Sequence, residues 1–157
     1  DRIEHGFVLP NPPRDSRAFA TPSGRAHFSA AVVESVHVPE GHLLLQTMRS
    51  HDQYNTTVYG MDDRYRGIRG ERMVVFISPI DIESLGLKEG ELVDLLSVHE
   101  GVERRVAGFR VVSYPTPVGC AAAYFPETNG LVPLDSIAEE SGTPTSKSVV
   151  IRVQRRA

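Results

Sequence analysis

The chain has 157 residues, a formal net charge of −3, 40% hydrophobic and 24% charged residues, a normal mixture for one domain that buries roughly 70% of its unfolded surface. That charge excludes the strongly basic footprint of a dedicated nucleic-acid binder, though not a local basic patch around a small anion. One cysteine, Cys120, excludes an internal disulfide framework and a cysteine-based zinc site, and no run of 18 or more apolar residues marks a membrane span. In chain order, residues 1–25 hold Pro10, Pro12, Pro13 and Pro22. Proline lacks an amide donor and resists both helix and central strand, so this stretch is read as an extended arm or linker that packs on an absent upstream domain. The barrel domain is placed at 26–157, with a short strand possible at 26–30. Strand-like runs follow at LLLQTM (43–48), RMVVFIS (72–78), ELVDLLSV (91–98), ERRVAGFRVV (103–112), VGCAAAYF (118–125) and KSVVIRV (147–153). Gly108 inside the fourth run marks a bulge or a barrel bend.

Between the second and third runs, SPIDIESLGLKEG carries the marks of a short helix. Ser78 is a capping residue, Pro79 suits the first helical position, Asp81 suits the N-terminal dipole and Gly86 suits a left-handed end. A second short helix is expected at 134–140, LDSIAEE. Six short strands with small helices, and no long alternation of strand and helix, predict a mainly β domain closed into a barrel, because closure removes exposed edges. Cys120, inside an apolar run, is read as a buried small hydrophobe and not as a reactive thiol. The single cysteine fits a reducing compartment, no signal peptide is visible, and a cytoplasmic location is expected. The chain opens on Asp1 and not on Met, so it is expected to be cut from a larger protein.

No GxGxxG, Walker loop, HExxH or GxSxG occurs, and the six histidines form no recognised metal spacing. The carboxylate pairs Asp62–Asp63 and Glu139–Glu140 are read as solvated surface. The richest polar stretch is residues 47–72, with Arg49, His51, Gln53, Asn55, Thr56 and Thr57, then Arg64, Arg66, Arg69 and Arg72. At about 26 residues it is long for a structureless connection, and Tyr54, Tyr59, Met61 and Tyr65 give it material to pack. Arginine donates in a planar fork to phosphate, so a phosphorylated ligand is one reading and a polar loop with surface ion pairs is the other. YFPETNGLVPLDS (124–136) is a second candidate, although Asn129-Gly130 also suits a hairpin turn. SGTPTSK (141–147) is a third, ending in Lys147.

Together these pieces resemble the C-terminal dinucleotide-binding domain of molybdopterin oxidoreductases, the group that includes formate dehydrogenases and periplasmic nitrate reductases. The resemblance runs over most of residues 20–153. It rests on TPSGRAHF (21–28), TMRSHDQYN (47–55), FISPIDIESLGLKEGELVDLLS (76–97) and AYFPETNGLVPLD with SGTPTSKSVVIRV, in that order. The run RSHDQYNTTVYGMDDRYRG points to formate dehydrogenase-like proteins of unassigned or acid-resistance-linked role. The resemblance implies a six-stranded double-psi β-barrel with short helices. It also implies binding of molybdopterin guanine dinucleotide, with molybdenum or tungsten held by other domains. The implied cofactor-binding residues are Thr47, Arg49, His51, Gln53 and Asn55 on one loop, Tyr124 and Asn129 on the opposite loop, and Lys147 near the last strand. Arg49 would be the phosphate or pterin-side cation. Arg64 to Arg72 fall outside the motif and are left as surface or domain-interface residues. No catalytic or metal-ligating residue is assigned. The implied partners are the upstream domains of the parent enzyme and a small anionic substrate such as formate.

Two other classes compete. A double-psi barrel can serve as an interaction or substrate-recognition module, which would show an exposed apolar groove and no dinucleotide affinity. A barrel enzyme with a self-processed serine would need a Gly-Ser pair, and the sequence has none.

Overall fold

The computed structural model describes residues 4–33, 35–54 and 58–156. The chain divides into two units, residues 1–35 and 36–157. In the first, the only regular element among the described residues is α1 (Pro12–Ser16). The prolines do not prevent this turn of helix, because Pro12 and Pro13 occupy its first positions, where a missing amide costs nothing. Asn11 caps it through Arg14 N. The strand expected at 26–30 is absent: among the described residues its own unit contains no strand to pair with, and Phe28 is fully exposed.

The second unit is the barrel. Its strands are β1 (Leu43–Met48), β2 (Val74–Ile77), β3 (Leu92–His99), β4 (Val102–Ser113), β5 (Cys120–Tyr124) and β6 (Val149–Arg155). They close in the order β1-β5-β2-β4-β3-β6. β1–β5 and β2–β4 are parallel pairs, and the other four are antiparallel. The molecule is thus a mainly β, six-stranded closed mixed barrel with few short helices, as the sequence predicts. Each strand lies within two residues of its expected run, because alternation and β-branching are local signals.

Leu45, Val75, Ile77, Val93, Leu95, Phe109, Val111, Ala121, Ala123 and Ile151 fill the core. β2 is buried along its whole length. Val75 and Ile77 belong to the main core, whereas Val74 and Phe76 pack on the other face with Ile68, Val112 and Tyr124. Ile68 comes from the long 47–72 connection, so part of that connection is packed onto the barrel wall.

α2 (Pro79–Ser84) forms as expected. Ser78 Oγ accepts from Asp81 N at 3.0 Å, and Gly86 takes φ 63°. Asp81 does more than meet the helix dipole: its carboxylate is buried and accepts Gly119 N at 3.0 Å, which ties α2 to the start of β5. Gly108 lies at a register shift in the β3–β4 pair, with φ 86° and its N–H on Asp94 Oδ1 at 2.9 Å.

The helix expected at 134–140 is absent. Ala138 N bonds Thr143 O, Thr145 N bonds Ser136 O, and Ile137 bridges Pro144 in antiparallel fashion. Leu134 and Ile137 are exposed, so a helix here would have no apolar face to bury and little to stabilise it. A 3-10 turn at Asn129–Leu131 is the only helical piece of that region. Cys120, expected to be buried, is half-buried at the start of β5.

Candidate functional site

Strand directions decide where polar loops collect. β1, β5 and β3 all run toward one rim, while β2, β4 and β6 run away from it. The loops that leave β1 and β5, the approach to β2 and the approach to β6 therefore share that rim. α2 and the 114–119 connection lie at the other end.

Parallel pairing sets Met48 against Tyr124, so residues 49–54 and 125–129 emerge side by side. Phe125 N donates to Met48 O at 2.8 Å. Gln53 folds back: its Oε1 accepts Ser50 N at 3.2 Å and its Nε2 donates to Phe125 O at 2.9 Å. The segment before β6 joins them. Thr47 N donates to Ser146 O at 3.1 Å, and the Lys147 ammonium donates to Thr47 O. The structure thus gathers Thr47, Gln53, Tyr124 and Lys147 at one rim, although they lie up to 100 residues apart in sequence.

The gathered residues divide by exposure. Thr47, Gln53 and Tyr124 are buried. Tyr124 lies under the loops, and its hydroxyl donates to Asp63 Oδ2 at 2.9 Å. Arg49, His51, Asn129 and Lys147 are exposed. Arg49 makes no hydrogen bond or ion pair among the described residues. His51 packs against Tyr65 with ring centroids 3.7 Å apart and ring planes tilted by 37°. Asn129 lines a cleft of about 330 Å³ together with Phe125, Pro144 and Ser146. It also lines a second hollow with Arg104 and Asp135, so it stands on the ridge between the two. Asn129-Gly130 is not a hairpin turn but the start of the 3-10 turn. Asn55 lies outside the described residues, as do Thr56 and Thr57.

Two residues read from sequence as surface are internal. Asp63, half of the supposed solvated pair, is 1% exposed. It accepts Arg66 Nη1 at 2.6 Å and the Tyr124 hydroxyl on the same oxygen. Burial works to raise its pKa, but the hydrogen bonds from Arg66 and Tyr124 outweigh this and hold the carboxyl below its usual range. The Tyr124 hydroxyl is pushed far up, by burial first and then by its bond to Asp63, so it stays a neutral donor. Arg72, left with the surface arginines, is 3% exposed. Its Nε donates to Glu127 Oε1 at 2.6 Å, its Nη1 to Ser50 Oγ at 2.7 Å, and its Nη2 to Gln53 Oε1 at 2.9 Å and Phe125 O at 2.8 Å. Its guanidinium also lies over the Tyr59 ring at 3.7 Å and the Tyr124 ring at 4.7 Å. Nothing in the composition of RGIRGER separates Arg72 from its neighbours; only its place just before a β-branched run hints at the mouth of a strand. Arg64 and Arg69 are exposed, as read from sequence.

The loops of this rim therefore carry the exposed Arg49, Asn129 and Lys147 on a base held by buried hydrogen bonds; Asn129 lines the cleft, whereas Lys147 lines a separate groove along the β1–β5 wall with Gln46, Pro117 and Cys120. Those donors suit an anionic ligand with neutral polar edges. A phosphorylated heterocycle fits this set.

Comparison with known proteins agrees with that chemistry. Residues 43–150 match the model of the family described as "Molydopterin dinucleotide binding domain". An uncharacterized oxidoreductase of Mycobacterium tuberculosis is 56% identical over 99% of this chain, and Protein YdeP of Escherichia coli (strain K12) is 40% identical over 98%. The chain spans 21% of the length of each of these relatives. Acetylene hydratase from Pelobacter acetylenicus shares the fold, with a TM-score of 0.54 over 91% of this chain and 25% of its own, at 17% identity.

Proposed function

The chain belongs to the molybdopterin dinucleotide-binding domain family, and from that premise we propose that it holds molybdopterin guanine dinucleotide within a larger, formate dehydrogenase-like oxidoreductase and does no chemistry alone. The observation that carries this reading is the convergence of the 47–53, 124–129 and 144–147 segments on one rim, with exposed donors above buried ties.

The bound group, with molybdenum or tungsten held by other domains, would supply two-electron redox chemistry. The residues of this chain bind and orient. Arg49 and Lys147 offer charge to the phosphates. Asn129 offers an amide that donates and accepts. His51, packed against the Tyr65 ring, offers a ring face or a nitrogen. Thr47, Gln53 and Tyr124 act from below: Thr47 O anchors Lys147, Gln53 ties the two loops, and Tyr124 supports the Arg72 guanidinium. The partners in this reading are the other domains of the oxidoreductase and a small anion such as formate as substrate. The low cysteine count supports a cytoplasmic setting.

The test is Arg49→Ala in the full-length protein. Each charge-assisted bond to phosphate contributes about 1.5–3 kcal/mol, so cofactor affinity should drop about tenfold to a hundredfold. Unfolding of the apoprotein should change by less than about 0.5 kcal/mol, because Arg49 is exposed and makes no ion pair among the described residues. Full pterin content in the variant, measured by fluorescence after oxidation, would remove Arg49 from the site.

A further inference from the structure

We propose that Arg72 is the positioning residue of the cofactor site: one buried guanidinium fixes the spacing and orientation of the two loops that carry the ligand-facing side chains. The inference rests on the cofactor reading above and adds a residue and a device to it.

Arg72 sits two residues before β2, at the mouth of the barrel, with Val74 N on its own carbonyl at 2.8 Å. From there it reaches two loops at once. On the loop after β1 it donates to Ser50 and Gln53; on the loop after β5 it donates to the Phe125 carbonyl and the Glu127 carboxylate. Gln53 closes the circuit through Phe125 O, which accepts from both Gln53 and Arg72. Arg49 precedes Ser50 by one residue, and Asn129 follows Glu127 by two. The ligand-facing donors are therefore short spurs from the points Arg72 holds.

Only a planar fork reaches so many acceptors from one side chain. A lysine keeps the charge and can pair with Glu127, but its single ammonium cannot span Ser50, Gln53, Phe125 and Glu127 together. The 58–72 segment adds to the same hold. Tyr59 covers the guanidinium, Asp63 fixes Tyr124 beneath it, and Tyr65 packs against His51. Arg72 is buried and donates inward to protein groups, so its proposed action runs through Arg49 and Asn129.

This role has a signature that general destabilisation lacks. If Arg72 sets where Arg49 points, the contribution of Arg49 to binding depends on Arg72. We would measure cofactor release from full-length holoprotein for wild type, Arg49→Ala, Arg72→Lys and the double variant. Arg49→Ala is expected to weaken binding about tenfold to a hundredfold on the wild-type background and less than about threefold on the Arg72→Lys background. An equal loss on both backgrounds would overturn the proposal. Glu127→Gln keeps the shape and removes the anchoring charge, so the same cycle can be run if Arg72→Lys fails to fold. Hydrogen exchange on the apoprotein gives a second readout. Amides of 49–54 and 125–129 should both exchange faster in either variant, while those of β2 and β4 stay protected; loosening of one loop alone would overturn the proposal. A wild-type protein that holds no pterin would instead contradict the cofactor reading, and the exchange result would still report on the loop tie.

Discussion

Asp63 shows how much a single buried carboxylate holds at this rim. Its oxygen accepts from Arg66 and from the Tyr124 hydroxyl, and its backbone N–H and C=O pair with Ile68. Asp63→Ala would leave the Tyr124 hydroxyl buried without a partner and should cost about 2–3 kcal/mol, read by urea denaturation. A loss below about 0.5 kcal/mol would mean that the network is not stabilising. The pH dependence follows from the same residue. The folded carboxyl titrates below its unfolded value of about 3.9. Its contribution is therefore full above about pH 4 and is lost as the pH falls through the folded pKa. Asp94 acts in the same direction, held low chiefly by its hydrogen bond from Arg105. Melting temperature should be flat from pH 7 to about 5 and then drop, and Asp63→Asn should flatten the acid limb. An unchanged acid limb in that variant would show that Asp63 is not the group being titrated.

At the scale of elements, the 3-10 turn at Asn129–Leu131 approaches β4 closely at one point, Gly130. A Cβ on Gly130 would stand 2.9 Å from Val106 Cγ2, a stiff β-branched side chain. Ser97 Oγ holds the next residue through Leu131 O at 2.7 Å, so the turn cannot simply lift. Gly130→Ala should cost about 1–3 kcal/mol, and Val106→Ala should recover part of that loss in the double variant; a neutral Gly130→Ala in thermal unfolding would contradict the packing. The elements that were legible in the sequence are those set by near neighbours. Ser78, Pro79 and Gly86 delimit α2 within nine residues, and the alternation of Val149, Ile151 and Val153 marks β6. The helix expected at 134–140 failed because propensity was not matched by a buried face. The site was half legible. Loops rich in arginine, asparagine and glutamine marked out the segments that meet at the rim, but Arg72 and Asp63 looked like ordinary loop charges. Their partners, Glu127 and Tyr124, lie 55 and 61 residues away, and only the barrel's pairing order brings them together.

For the whole molecule, the decisive fact is that the mixed barrel sorts its connections by end. The parallel β1–β5 pair delivers two loops to one rim, the antiparallel β6 brings Lys147 back to it, and β2 begins there with Arg72. The opposite end holds α2 and the 114–119 turn, tied by Asp81 to Gly119. A closed sheet thus supports a polar rim whose loops are cross-braced by buried side chains, an arrangement that suits the cofactor proposed for it. Amide hydrogen exchange on the full-length protein with and without bound molybdopterin dinucleotide tests this directly. Loading should slow exchange at 49–54, 125–129 and 144–147 and leave 79–84 and 114–119 unchanged. Protection at 79–84 and 114–119, with none on the rim, would contradict the account.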